Sequence, residues 1–199
     1  MLAIDIANLQ SRVAIDSRRL RRAVRLVLTD AGIRSGEISV AIVDDQRIHE
    51  LNRNFLQHDY ATDVLSFLLE SAGPSGPITG EIVASGDYAA REAPRYGWSA
   101  ADELLLYVIH GSLHLAGYDD LTKSQAAEMR KAETDYLARL GIERSLPEAQ
   151  PQQQARPRRA SQLAPGKAVK RDAKPTSKPA AARAKSGAAR ATSPIRVRT

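Results

Sequence analysis

His110-Gly111-Ser112-Leu113-His114-Leu115-Ala116-Gly117-Tyr118-Asp119-Asp120 is the stretch that decides how this chain is read. It continues a run containing Leu104, Leu105, Tyr107, Val108, Ile109 and Leu113 that is apolar on nearly every side, which predicts a central, buried helix. Ser99 caps its start, with Asp102 and Glu103 in the first turn. Residues four apart on a helix stand above one another, so His110 and His114 present two imidazoles to one ion. That pair alone fits core or surface histidines as well as ligands. Gly117 changes the balance, because a glycine there takes the left-handed turn that ends a helix sharply. The chain then folds back and brings the Asp120 carboxylate to the side of the two imidazoles.

The pattern H-x-x-x-H-x-x-G-x-x-D repeats the ligand spacing of the metzincin peptidases with two substitutions. Asp120 takes the place of a third histidine, which zinc accepts at a similar bond length. The predicted set is one Zn2+ held by His110, His114 and Asp120, with a coordination position left open for water. Gly111 stands where a zinc peptidase carries its general-base glutamate. Peptide hydrolysis is therefore disfavoured, and another hydrolytic reaction on a zincin-like helix is the better reading.

Outward from this helix, the pattern predicts an α+β domain with a small mixed four-stranded sheet and about five helices. Leu2 to Ala7, Glu37 to Val43, Val64 to Leu69 and Gly80 to Ser85 read as strands. Helices are expected from Asp16 or Ser17 to Ala31, from Asp44-Asp45 through Phe55, from about Asp87 to Arg95, from Ser99, and from about Thr122 to Leu140 with Gly141 closing it. Leu20, Val24, Val27 and Leu28 share a face of the first. The arginines at 18, 19, 21, 22 and 25 read first as its solvated side and second as a nucleic-acid surface. In the second helix Ile48, Leu51 and Phe55 share the apolar side.

Charge divides the chain. Residues 1–149 carry 16 Lys/Arg against 22 Asp/Glu, whereas residues 150–199 carry 13 Lys/Arg against the single Asp172. From about Pro147 onward the sequence has no apolar period and no aromatic residue. It cannot bury enough apolar surface to offset its ordering entropy, so it is expected to be disordered. The division is thus a domain over 1–146 and a basic tail over 147–199. A flexible polycation binds RNA phosphates without sequence preference, and the acidic body makes that the favoured role of the tail. There is no Cys, which excludes disulfides, thiolate metal sites and cysteine nucleophiles. No apolar run approaches the roughly 20 residues needed to span a bilayer, and the N-terminus lacks a signal-peptide pattern. A cytoplasmic protein is expected.

The metal stretch is similar to H-G-x-L-H-L-x-G-Y-D-H of the YbeY family of bacterial endoribonucleases. A second signature, resembling L-N-x-x-Y-R-x-x-D-x-P-T-D-V-L-S-F, runs from Leu51 to Phe67, and a third, G-D-I, appears as Gly80-Glu81-Ile82. The resemblance implies a small mixed sheet packed with several helices. It also implies a zinc-dependent, single-strand-specific endoribonuclease that works in ribosome maturation and quality control, trimming the 3′ end of small-subunit rRNA; rRNA and the small ribosomal subunit are the implied partners. Three positions depart from it. Asp120 replaces the family's last histidine, which lowers the positive charge of the site and makes water there less acidic. Leu56 replaces the arginine of the second signature, a cation suited to substrate phosphate, and Arg53 one turn earlier is the candidate to compensate. Ala61 replaces proline, which relaxes the loop.

His114 is the ligand expected to be indispensable to water attack on the phosphodiester. Asp119 and Asp63 are the candidates for accepting the proton or contacting substrate, and each fits equally a role in orienting a ligand or capping a turn. His58 suits a place near substrate or a surface loop; His49 reads as a surface or packing residue. A ribosome-assembly factor with a structural metal is the alternative of a different class, favoured by Leu56 and Asp120. A metallopeptidase ranks third.

Overall fold

The computed structural model describes residues 1–142, except 74 and 75, together with Arg196–Arg198. Strand β1 (Leu2–Asn8) is followed by α1 (Ser17–Asp30), β2 (Gly36–Val43) and α2 (Asp45–Leu56). The hairpin strands β3 (Val64–Ser71) and β4 (Ile78–Ser85) lead into α3 (Gly86–Glu92) and a 3-10 turn at Ala93–Tyr96. Helices α4 (Ala100–Leu115) and α5 (Lys123–Arg139) complete the body, and β5 is Arg196–Arg198.

The sheet order is β1-β2-β4-β3-β5, with β1, β2 and β4 parallel and β3 antiparallel to both its neighbours. Mixed α+β architecture therefore holds. Beside the four strands of the body, Arg196–Arg198 pairs with Ser66, Phe67 and Leu68 on the open edge of β3. An unpaired strand edge offers a row of backbone donors and acceptors that such a segment can fill. The rest of 147–199 lies outside the described residues. Among the described residues no helix is long and apolar enough to cross a membrane.

The two sheet faces are covered unequally. On one, α2 packs with Ile48 against Val43, Leu65, Phe67 and Val83. On the other, α1, α4 and α5 form the larger core around Val24, Leu28, Leu105, Ile109, Leu113, Met129 and Leu137. Phe55 was expected on the apolar side of α2, but it is 52% exposed and touches only the edge of that core, its ring 5.2 Å from Phe67 at 71°. Of the α1 arginines, Arg19 bonds Asp102 at 2.9 Å and Arg21 donates to the Ile4 carbonyl, so these two fix α1 to its neighbours. The helix expected to reach Arg95 ends at Glu92, where Pro94 in the first turn of the next segment tightens it into the 3-10 turn.

Helix α4 is the buried centre, as its sequence requires, and glycine sets how closely it lies on the sheet. A β-carbon placed on Gly111 would fall 2.9 Å from Ile82 Cγ2 and 3.3 Å from Val64 Cγ2. One placed on Gly80 would fall 3.0 Å from Leu115 Cδ1. Helix and strand thus approach through two glycines, one from each partner, and His110 is held directly beside the start of β3.

Candidate metal centre

Helix α4 ends in paired C-terminal bonds. The Gly117 N–H donates to the His114 carbonyl and the Tyr118 N–H to the Leu113 carbonyl, both at 3.0 Å, with Gly117 at φ +97°. This is the reversal that a glycine at that place permits at no steric cost. It lays the Tyr118 carbonyl against His114 and brings Asp120 back to the helix.

One ligand atom from each of His110, His114 and Asp120 lies within 4.8 Å of the others, so these three side chains could hold a metal ion. The two imidazoles are oriented from behind. His114 Nδ1 sits 3.1 Å from the Tyr118 carbonyl, and His110 Nδ1 sits 2.6 Å from Glu133 Oε1. A carbonyl carries no proton and a carboxylate accepts, so in each ring Nδ1 donates and Nε2 is the nitrogen left to bind a proton or a metal ion. Those two Nε2 atoms face each other at 3.0 Å. Two Nε2 atoms that close either share a proton, one ring donating to the other, or turn together to a metal ion. For tetrahedral zinc with bonds of about 2.0–2.1 Å the nitrogens would stand roughly 3.3–3.4 Å apart, a few tenths of an ångström from the observed spacing. Burial works against a charge on His110, yet the Glu133 carboxylate, with Asp63 and Asp120 further off, raises its pKa above the ordinary imidazole value. The surroundings that favour a proton on this ring favour a metal cation equally. The residues present fit the ion.

Glu133 was not singled out from the sequence. It lies 23 positions from His110 on α5 and is 8% exposed, between Met129 and Leu137 on the buried stripe of that helix. An acidic residue in an otherwise apolar stripe was the available signal, since carboxylates are almost never buried without a partner. Carboxylates behind ligating histidines raise ligand basicity and fix ring orientation. Glu133→Gln is accordingly expected to weaken zinc binding by about 10–100-fold while leaving all three ligand side chains in place. A competition titration against a fluorescent chelator checks this.

The remaining candidates are placed variously. Asp63 Oδ1 accepts from Thr62 Oγ1 at 2.9 Å and from the Val64 N–H at 2.8 Å; it also lies near enough to His110 to act on its charge. Asp119 Oδ1 accepts the Asp120 N–H at 2.9 Å, which shapes the loop presenting Asp120. Arg53 is exposed on α2, on the sheet face opposite α4, and is not among the residues gathered at the centre. Near the other end of α4, Glu103 is almost buried. Burial raises its pKa, with Asp63 and Glu92 adding to the effect and a hydrogen bond from Tyr107 opposing it.

Comparison with known proteins is consistent with this geometry. A Carboxydothermus hydrogenoformans protein named Endoribonuclease YbeY is 39% identical over 143 residues, covering 70% of this chain and 99% of that one. A Bacillus licheniformis protein of the same name is 34% identical over 155 residues, covering 72% and 98%. Another, from Rhodopirellula baltica, is 46% identical over 114 residues, 56% of this chain and 58% of that protein. The solution structure of a Thermotoga maritima protein superposes with a TM-score of 0.46 at 26% identity, over 70% of this chain and 91% of the other. The family model described as Endoribonuclease YbeY matches residues 5–141, a span that holds the second half of β1, strands β2 to β4, all five helices and every residue of the metal centre. The chain belongs to the endoribonuclease YbeY family.

Proposed function

We propose that this protein is a single-strand-specific, metal-dependent endoribonuclease of late ribosome maturation and quality control, cleaving phosphodiesters at the 3′ end of small-subunit rRNA. The observation that carries the reading is the cluster of His110, His114 and Asp120, with the two Nε2 atoms converging at 3.0 Å, in a chain of this family. His110, His114 and Asp120 hold one Zn2+ in this reading. When bound, the ion supplies Lewis acidity: it makes a water acidic enough to attack at neutral pH and draws charge from a phosphoryl oxygen. The chain's own residues do the rest. Glu133 and the Tyr118 carbonyl keep the imidazoles turned inward. In this reading Asp63 and Asp119 accept the water's proton or meet the substrate, and Arg53, which lies away from the centre, meets RNA phosphate only outside the cleaved bond.

Residues 1–146 constitute the catalytic domain in this reading, and the basic tail 147–199 adds affinity for rRNA and the small subunit by releasing counterions. The compartment is the cytoplasm. Removing residues 148–199 is expected to leave the domain folded and to reduce both RNA affinity and the slope of log affinity against log salt. Filter binding across a salt series measures that slope, and an unchanged value would count against the tail.

The experiment for the function is cleavage of precursor small-subunit rRNA by the full chain. Products should appear with wild-type protein, vanish on chelation and return when Zn2+ is restored; cleavage that persists in chelator would overturn the reading. Leu56, where the family pattern has an arginine, and Asp120, where it has a histidine, favour a second reading, a ribosome-assembly factor whose metal is structural. Tight binding to pre-ribosomes without cleavage in any metal would select it.

A further inference from the structure

The loop joining α2 to β3 carries a feature that the metal centre does not explain. Helix α2 ends with Gln57 in the left-handed conformation at φ +61°. The Gln57 N–H then donates to the Arg53 carbonyl at 3.1 Å and the His58 N–H to the Asn52 carbonyl at 3.3 Å. Asn52 is fully buried, and its Nδ2 donates to the Tyr60 carbonyl at 2.9 Å. Between these anchors Asp59 Oδ1 meets His49 Nε2 at 2.8 Å. The backbone on both sides of Asp59 is thus tied down to α2.

What this pinned loop presents is a pair of aromatic rings. His58 and Tyr60 lie nearly parallel, 9° apart with centroids at 5.4 Å, and both are exposed, Tyr60 by 49%. Neither ring is needed to hold the loop, whose backbone bonds and His49–Asp59 hydrogen bond do so already. Two stacked rings held on a fixed backbone and open to solvent have the form of a stacking platform for an unpaired nucleobase. Their place suits a substrate of the metal centre. Asp63 follows Tyr60 by three positions, a reach of at most about 11 Å of extended chain, and Val64 next to it packs against the position of Gly111, beside His110. The two rings lie two and four positions after Leu56, which stands in place of the family's arginine.

We propose that His58 and Tyr60 form a subsite that stacks an unpaired base of the RNA substrate and so selects single-stranded over duplex RNA. The inference rests on the ribonuclease reading above and names how its substrate is held. Full-length, zinc-loaded protein would be titrated with a fluorescent, cleavage-resistant oligouridylate (2′-O-methyl, phosphorothioate) and with an abasic oligomer of the same length and charge. Contacts of the tail to phosphate are common to both probes, so their difference reports the bases. Wild type should prefer the oligouridylate by about ten-fold, a loss typical of one stacked base. Tyr60→Ala should erase most of the preference, Tyr60→Phe should keep it, and His58→Ala should reduce it, all with unchanged thermal unfolding. A preference that survives both alanine substitutions overturns the inference while precursor cleavage by the same protein leaves the ribonuclease reading standing. Failure of wild type to bind either probe overturns both.

Discussion

Replacing His114 by alanine is expected to cost this protein its metal and, with it, RNA cleavage. His114 is 6% exposed, its Nδ1 is fixed by the Tyr118 carbonyl, and its Nε2 faces that of His110. Outer residues that merely orient a ligand are worth about 10–100-fold in metal affinity, so loss of the ligand itself should exceed that range. The fold should survive. Alanine is a better helix former than histidine, the helix end is secured by backbone bonds at Gly117 and Tyr118, and the lost side-chain bond is worth about 1 kcal/mol. Metal content by elemental analysis, thermal unfolding and cleavage of precursor rRNA, measured together, check this. Full cleavage by a folded, metal-depleted His114→Ala protein would show that the centre takes no part in the reaction. Asp120→His, which restores the family's residue, is the informative partner: it should retain the ion, because an imidazole there has the same access to the site as the carboxylate it replaces.

How far the sequence reached depended on whether the physics was local. Ser99, Gly117 and the spacing of His110, His114 and Asp120 act within a few turns of one helix, and the chain shows there the cap, the reversal and the convergence expected. Pro94 acts equally locally, and the helix expected to reach Arg95 stops before it at Glu92. Glu133 was hidden for a different reason. Its meeting with His110 depends on how α5 crosses α4, which no periodicity within either helix specifies. The same holds for Arg53, whose place on the opposite sheet face follows from the route of the chain from α2 into β3. Phe55 has the right spacing for the apolar face of α2, but that helix buries only a narrow stripe headed by Ile48 and Asn52, and its last turn runs out over solvent. In β5, Arg-Val-Arg has too little apolar content to be read as a strand; it pairs because β3 offers an edge.

Gly111→Glu is the substitution expected to do most damage to the fold, and it bears on why this centre differs from that of a zinc peptidase. The missing glutamate of the peptidase pattern reads, in sequence, as a lost catalytic base. In the fold the position is a packing contact, with Ile82 and Val64 close enough that even a methyl group would require them to shift. Ile82 is fully buried in the middle of β4 and Val64 nearly so at the start of β3, so neither can yield without moving the sheet. Overpacking of this kind costs typically about 1–3 kcal/mol, and a carboxylate placed there unpaired would add several more. Against a domain stability of about 5–15 kcal/mol that is enough to leave the variant largely unfolded or strongly destabilised. Gly111→Ala separates the two contributions. It gains about 1 kcal/mol of helix propensity and loses to the contact with Ile82, so its unfolding midpoint should fall modestly, and far less than that of Gly111→Glu. Chemical denaturation of the three proteins measures the order. A Gly111→Glu protein as stable as wild type would mean that α4 can rise off the sheet, and the site would then have room for the peptidase base that its packing now excludes.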